Sequence, residues 1–470
     1  MRALDRQQHY SRRSLLRGAG AATLAATVHP VLHTGTRGAA LVQTPATRDI
    51  SGTTLKILQW SHFVPRYDEW FDQALVPAWA EANGVEVTVD HVSAVDLPSA
   101  IAAEMAGAEG HDLIEYVAPL PQYEPSVLDL TDVVQEANRR HGEQLELARS
   151  YSFNPTTEIF YGFCHGYAPD PGNYRKSLWE QVGLPDGPTS WQELLDSGSR
   201  IRQEQGIQLG IGMSNEDDSN MAAMMVLMAF GASVQDANEN VVINSPETVA
   251  AVEYMTRLYE GAMTPEVFGW NPASNNQLLI AGQASYILNS ISAYRSAQTV
   301  QPEVAADIFF TPPLAGPDGV ALANGHAVFV YMIPNYAEYP DTAKEFLLHL
   351  AANYEQATLQ SELYNLPAWP DLAPELVAEG GWLDADPYNS EPADKLAVLK
   401  DAADWSVNLG YPGPSNAAIG EVFTTYVLPN MFAAAARGEL TPAEAVAEAE
   451  DRITPIFERW RGEGLIGGGQ

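Results

Sequence analysis

Between residues 53 and 117 the apolar positions alternate between a strand period and a helix period. Thr54–Trp60 (TLKILQW) is a short, mostly apolar run, which predicts a buried first strand ending in Ser61 and His62. In Tyr67–Asn83, Trp70, Phe71, Ala74, Leu75, Ala78 and Trp79 share one helical face, with Pro77 a local flaw and Asn83-Gly84 the stop. Val85–Val92 alternates as a strand, Leu97–Ala108 is a small helix, and Asp112–Val117 (DLIEYV) is a third strand. This order predicts the opening of a parallel α/β sheet. Ligands of such a sheet sit beyond the carboxyl ends of its strands, which makes Trp60, Ser61, His62 and Tyr116 candidate contacts by position alone.

The next stretch, Tyr161–Leu195, changes pattern several times. An aromatic, glycine-containing segment breaks at Pro169, Pro171 and Gly172, and a short amphipathic run, Tyr174–Val182, stops at Gly183. After the Pro185–Pro188 turn, Ser190 and Glu193 stand in capping-box register ahead of Leu194 and Leu195. Ile207–Met213 reads as a short strand, and Asn220–Gly231 as a helix apolar on nearly all sides, too short to span a membrane. Val241–Ile243 reads as a strand. Ser245-Pro246-Glu247 starts a helix, which runs to Gly261. A loop (Gly269–Pro272), a helix ending at Gly282 and the strand Ala284–Leu288 follow, the strand closing on Asn289-Ser290. Further on come Asp307–Leu314, the strand Ala327–Ile333, a helix from Pro340, and a final helix capped by Thr441 and Glu444 and flawed at Pro455.

At 470 residues the chain exceeds what one hydrophobic core usually serves, so two or three compact units are expected. Its charge is acidic, 25 Lys+Arg against 60 Asp+Glu, a formal −35. Such a field repels phosphate backbones and anionic head groups, so no nucleic-acid or membrane-surface role is expected. The single cysteine, Cys164, excludes an internal disulfide. Residues 1–40 read as an export signal. Ser11-Arg12-Arg13-Ser14-Leu15-Leu16-Arg17 has the twin-arginine form, and an uncharged Ala-rich core follows at Gly18–Val28.

Catalytic signatures are thin. No Gly-x-Ser-x-Gly elbow, His-Glu-x-x-His pair or phosphate-binding Gly-x-x-x-x-Gly-Lys loop occurs. Cys164 and His165 are adjacent, so on a strand they face opposite sides and cannot form a nucleophile–base pair. Asp236-x-Asn238-x-Asn240 begins like a calcium loop, but Val241 replaces the turn glycine and no glutamate stands at the twelfth place; a polar turn is the better reading. The Met-rich run in Asn220–Gly231 has no neighbouring His or Cys to make a metal site. No cofactor is expected.

The order in Tyr161–Leu195 (crossing segment, short helix, Gly-Leu-Pro turn, Trp-containing capped helix) resembles the middle of the family 1 extracellular solute-binding proteins, the ligand receptors of ABC importers. Gly282-Gln283-Ala284 with Ile287-Leu288-Asn289-Ser290, Pro340–Leu347, Asn365–Pro370 (NLPAWP) and Asn408–Ser415 (NLGYPGPS) are similar to later motifs of that family, in the same order. The chain departs from it where Arg175 replaces an Asn. It departs again after Asn289, where Ile291 and Ser292 stand in place of a stacking aromatic, with Tyr294 beyond.

The resemblance implies an α/β, periplasmic-binding-protein-like fold: two α/β lobes joined by a hinge, with the ligand cleft between them. The implied division is an export signal at 1–40, a linker at 41–52, one lobe at 53–158 with 307–355, the other at 165–305 with 360–461, and a flexible tail at 462–470. It also implies a cleft lined by Trp60, Ser61, His62, Tyr116, His165, Tyr167, Trp270, Asn275, Asn289, His326, Trp369 and Tyr411. Aromatic faces cover the C–H surface of a sugar while Asn, His and Tyr groups bond its hydroxyls. Few Lys or Arg stand at these loops, Arg175 and Arg295 being the exceptions, so a neutral sugar, oligosaccharide or polyol is expected rather than an anion. The implied protein is an exported, monomeric, non-enzymatic receptor that delivers its ligand to the transmembrane subunits of an ABC permease. A secreted carbohydrate-active enzyme and a metal-ion receptor on the same fold are the alternatives.

Overall fold

Strand β1 (Thr54–Trp60) lies between β2 (Glu86–Val92) and β3 (Leu113–Tyr116) and runs parallel to both, as the opening pattern predicts. The computed structural model describes residues 41–43, 46–118 and 120–468. The export signal therefore lies outside the described residues. Leu55, Ile57 and Leu58 are buried, as expected for a strand covered on both faces. The helix between β1 and β2 comes in three pieces, Pro65–Trp70, a π turn at Phe71–Leu75, and Val76–Asn83. Pro77 has no N–H to donate and its ring crowds the carbonyl four residues back, so the wider turn falls just before it. Gly84 then ends the helix at φ 65°, a left-handed conformation that glycine adopts without strain.

After a small hairpin of β4 (Phe153–Asn154) and β5 (Ile159–Phe160), the chain enters the wholly buried β6 (Phe163–Pro169) and then β7 (Gly172–Arg175). The remaining strands are β8 (Gln208–Gly210), β9 (Ala284–Leu288), β10 (Ile308–Thr311), β11 (Ala323–Met332), β12 (Leu366–Pro367) and β13 (Ser406–Val407). Two main sheets result. The larger has the order β12-β6-β11-β3-β1-β2, with β13 on the start of β11; the smaller has the order β10-β7-β9-β8. Consecutive strands β6 and β7 thus belong to different sheets, and the chain passes between them at Asp170-Pro171. Prolines cannot donate to a ladder, so Pro169 and Pro171 end one pairing where the next begins. The described residues form a single unit by contact, holding both sheets.

Several local expectations are corrected. Tyr174 and Arg175 pair as strand β7, and the helix there spans only Lys176–Gln181. Their partners on β9 and β10 are distant in sequence, which local periodicity does not register. Val241–Ile243 is not a strand; Val241 makes one isolated bridge to Gln235. The apolar helix is Asp217–Ala229, three residues earlier than its hydrophobic run suggests, because Glu216 caps it. At Ser190 the hydroxyl accepts from Glu193 N at 3.2 Å, but the Glu193 carboxylate reaches one residue further, to Thr189 N at 2.7 Å. The reciprocal box is complete at Thr441 and Glu444, and the helix Pro442–Gly462 runs through Pro455.

Both ends of the described chain are tied down. Asn353 bonds Val42 on both sides, N to Oδ1 at 2.7 Å and Nδ2 to O at 3.1 Å, and Thr47 N donates to Glu345 Oε2 at 3.1 Å. Near the other end, Gly467 N donates to Glu239 Oε2 at 2.6 Å.

Candidate functional site

The carboxyl ends of β1 and β3 face the amino end of the helix Asp217–Ala229, and a small pocket lies between them. Trp60, Phe63 and Tyr364 supply its aromatic lining, Asp217 and Asp218 its acidic wall, and His326 on β11 part of its base. The aromatic side is a cluster of rings around Trp60. Trp60 packs against His62 at 4.7 Å, Phe63 at 5.3 Å and Phe329 at 6.1 Å between ring centroids. His62 sits behind Trp60 and fixes that loop. Its Nδ1 accepts from Val64 N at 2.9 Å, so its Nε2 carries the proton and donates to Asn365 Oδ1 at 2.9 Å. Burial lowers its pKa to about 4, so the ring is neutral at pH 7.

The acidic side is built on the helix start. Glu216 accepts from Asp218 N at 2.7 Å and Ser219 N at 2.6 Å, satisfying helix donors that lack a partner within the helix. Tyr116, on β3, donates its hydroxyl to Asp217 Oδ2 at 3.2 Å. Asp218 Oδ2 accepts from Asn275 Nδ2 at 2.7 Å and from Asn289 Nδ2 at 3.2 Å. Asn289 Nδ2 also reaches Asn275 Oδ1 at 3.1 Å, which locks the two amides together. These bonds use Oδ2 of each aspartate and leave the Oδ1 atoms without a hydrogen bond among the described residues.

Burial, then mutual repulsion, lifts Asp217 to about 6; burial likewise lifts Asp218 to about 6, with the nearby His326 holding it down. Glu216 is pushed well above the usual carboxylate range by burial and by Asp218. Burial alone would lower His326. The charges of Asp170 and Asp218 outweigh it and bring the imidazole up to about 9, so it is a cation at pH 7. Its Nδ1 stands 3.5 Å from Asp170 Oδ1, at the crossing between β6 and β7.

The structure thus gathers Trp60, Tyr116, Asn275, Asn289 and His326 around one acidic pocket, with His62 one layer behind and Ser61 held to β2 by its backbone N–H to Val92 O at 2.8 Å. It places the other expected residues elsewhere. His165 is fully buried inside the large sheet, with Nε2 2.8 Å from Glu115 Oε1 and Nδ1 3.2 Å from Tyr354 Oη. Burial lowers this histidine to about 3 and raises Glu115 to about 8, so the pair is uncharged at neutral pH. Tyr167 is buried in β6 between β11 and β12. Trp369 packs on Phe163 at 5.3 Å and donates its indole N–H to Asn138 Oδ1 at 2.8 Å. Trp270 lines a separate hollow with Ser214, Phe268 and Arg437, and Tyr411 is an exposed side chain. Of the two arginines singled out in the sequence, Arg175 pairs with Asp307 at 2.6 Å and Arg295 with Asp386 at 2.7 Å.

Sequence reasoning missed Phe63, Asp217, Asp218 and Tyr364. The acidic run Glu216-Asp217-Asp218 before an apolar helix was the available signal, since acids favour a helix's first turn. Among the described residues no group of three or more His, Cys, Asp or Glu is placed to hold a metal ion, and no helix is long and apolar enough to cross a membrane.

A protein-family profile described as "Bacterial extracellular solute-binding protein" matches residues 74–393. The chain belongs to this family. Putative binding proteins of Brucella abortus (strain 2308) and Brucella suis biovar 1 (strain 1330) are each 21% identical to this solute-binding protein over 260 residues. Those matches span 49% of this chain and 63% of each relative. Among solved structures, a putative oligosaccharide periplasmic-binding protein from Synechococcus sp. MITs9220, in complex with zinc, superposes with TM-score 0.72 at 19% identity. It covers 86% of this chain and 99% of that one. Maltose-bound MalE3 of T. maritima gives 0.71 at 18% identity, covering 86% and 100% of the two chains. A solute-binding protein from Agrobacterium radiobacter K84 in complex with ribitol gives 0.70 at 16%, covering 87% and 100%. These likenesses establish the periplasmic-binding-protein fold.

Proposed function

We propose that this solute-binding protein is the extracytoplasmic receptor of an ABC importer, that it holds a sugar, oligosaccharide or polyol between two lobes, and that it passes the ligand intact to the permease. The observation that carries this reading is the pocket between β1, β3 and the helix Asp217–Ala229. It combines aromatic faces with hydrogen-bonding groups, as a polyhydroxylated ligand requires. Asp170-Pro171, where consecutive strands enter different sheets, serves as one crossing of the hinge. Binding stabilises the closed arrangement, and the permease reads that state. The chain does no covalent chemistry in this reading. Export follows the twin-arginine route, from the Arg12-Arg13 segment.

The test is calorimetry of ligand-stripped protein against a panel of mono- and oligosaccharides and polyols. Small-angle scattering of the same samples would report closure. Saturable binding with a smaller radius of gyration is expected, with the ligand recovered unchanged. Turnover of an oligosaccharide would favour the enzyme reading; if none of the panel binds, a natively released molecule that is neither sugar nor polyol would overturn the assignment.

A further inference from the structure

We propose that the ligand of this pocket carries a protonated amine, as an amino sugar or amino polyol does, with its ammonium group on the free Oδ1 atoms of Asp217 and Asp218. The inference rests on the receptor reading above and narrows its ligand class. Three observations carry it. First, the pocket wall is acidic: Asp217 and Asp218 line it, Asp170 and Glu216 stand behind them, and His326 is the one basic side chain among its lining residues. Second, the free atoms at the wall are acceptors in need of donors. Each aspartate has one oxygen already occupied by Tyr116 or by the amides of Asn275 and Asn289, and the other open. A hydroxyl brings one proton, whereas an ammonium brings three and a charge. Third, His326 is only 7% exposed and lines the pocket; its Nδ1 is turned to Asp170 Oδ1 at 3.5 Å, and its Nε2 has no hydrogen bond among the described residues. The pocket therefore keeps one buried ring donor that a hydroxyl or ring oxygen of the ligand would fill.

The aromatic lining suits the same ligand. Ring faces of Trp60, Phe63 and Tyr364 attract a cation as well as a C–H surface. Burial and a neighbouring carboxylate, Asp218 for Asp217 and Asp170 for Asp218, raise both aspartates to about 6, and an ammonium beside them would relieve that repulsion. The formal −35 of the whole chain would steer cations toward the protein.

The test is calorimetry of the ligand-stripped full chain against matched sets that differ in one group. D-glucosamine is compared with D-glucose and N-acetyl-D-glucosamine, the chitosan disaccharide with cellobiose and diacetylchitobiose, and D-glucamine with sorbitol. In at least one set the amine should bind roughly tenfold or more tighter than its hydroxyl partner, the factor of one charge-assisted hydrogen bond. The D217N/D218N variant should lose that preference. Hydroxyl members binding as well as amines in every set, or a preference that survives D217N/D218N, would overturn the inference and leave the sugar receptor standing. If no member binds, the small molecule released from natively purified protein decides, by mass spectrometry after amine-reactive labelling. A labelled sugar or polyol supports the inference, and an unlabelled one overturns it alone. A molecule of neither kind overturns the receptor reading too.

Discussion

Tyr116→Phe isolates one bond between the large sheet and the helix that faces it. Tyr116 is 1% exposed, so phenylalanine fills the same space and the change removes only the hydroxyl that donates to Asp217 Oδ2 at 3.2 Å. That distance is longer than usual for an O–H donor, which places the bond below most of those made to charged groups, at about 1–1.5 kcal/mol. If the bond forms only when the halves are closed, its loss shifts the closing equilibrium by roughly 5- to 13-fold toward the open state. A ligand that selects the closed state should bind weaker by the same factor. The Tyr116 bond also holds the Asp217 proton affinity down, so in the variant this carboxyl should titrate above its present value of about 6. Paired dyes on the two halves would measure closing, and calorimetry the dissociation constant. An affinity and a closing equilibrium both within twofold of the parent chain would refute the reasoning, because the bond would then be equally strong in both states.

Other consequences follow from the same geometry. Trp60→Ala should cost roughly 3–5 kcal/mol in denaturant unfolding, since it empties a site packed by His62, Phe63 and Phe329, and should weaken ligand binding as well. Trp270→Ala, in its separate hollow, should leave ligand affinity within about twofold by calorimetry; a tenfold loss would bring Trp270 into the site. Glu115 and His326 both bind protons more tightly folded than unfolded, with values of about 8 and about 9. Their stabilisation is complete below the unfolded values and fades as pH rises through the folded ones, so unfolding free energy should fall between pH 7 and 9. Glu115→Gln should flatten the lower part of that fall, and a slope identical to the parent's would count against a buried neutral carboxyl. Thr441→Ala, which removes the capping hydroxyl of the last helix, should cost about 1 kcal/mol in the same unfolding assay.

Much of this protein was decided locally and is legible in the sequence. The strand ending at Trp60, the capped helices after Ser190, Ser245 and Thr441, and the break at Pro169 and Pro171 depend on short-range periodicity, caps and missing N–H groups. The family followed from the order of such motifs. Which side chains meet at the pocket was decided only by the tertiary structure. Trp369 and His165 carry the same residue chemistry as Trp60 and His326, yet Trp369 packs on Phe163 just past the edge strand β12, His165 is buried within β6, and their polar atoms are taken by Asn138 and Glu115. Asp217 and Asp218 read locally as first-turn acids of a helix. They became an acidic wall because chain crossings bring β3, Asn275, Asn289 and His326 to that helix end from up to about a hundred residues away in sequence. Contacts at that range are set by how the two sheets pack, and neither a period of 2.0 nor one of 3.6 carries that information.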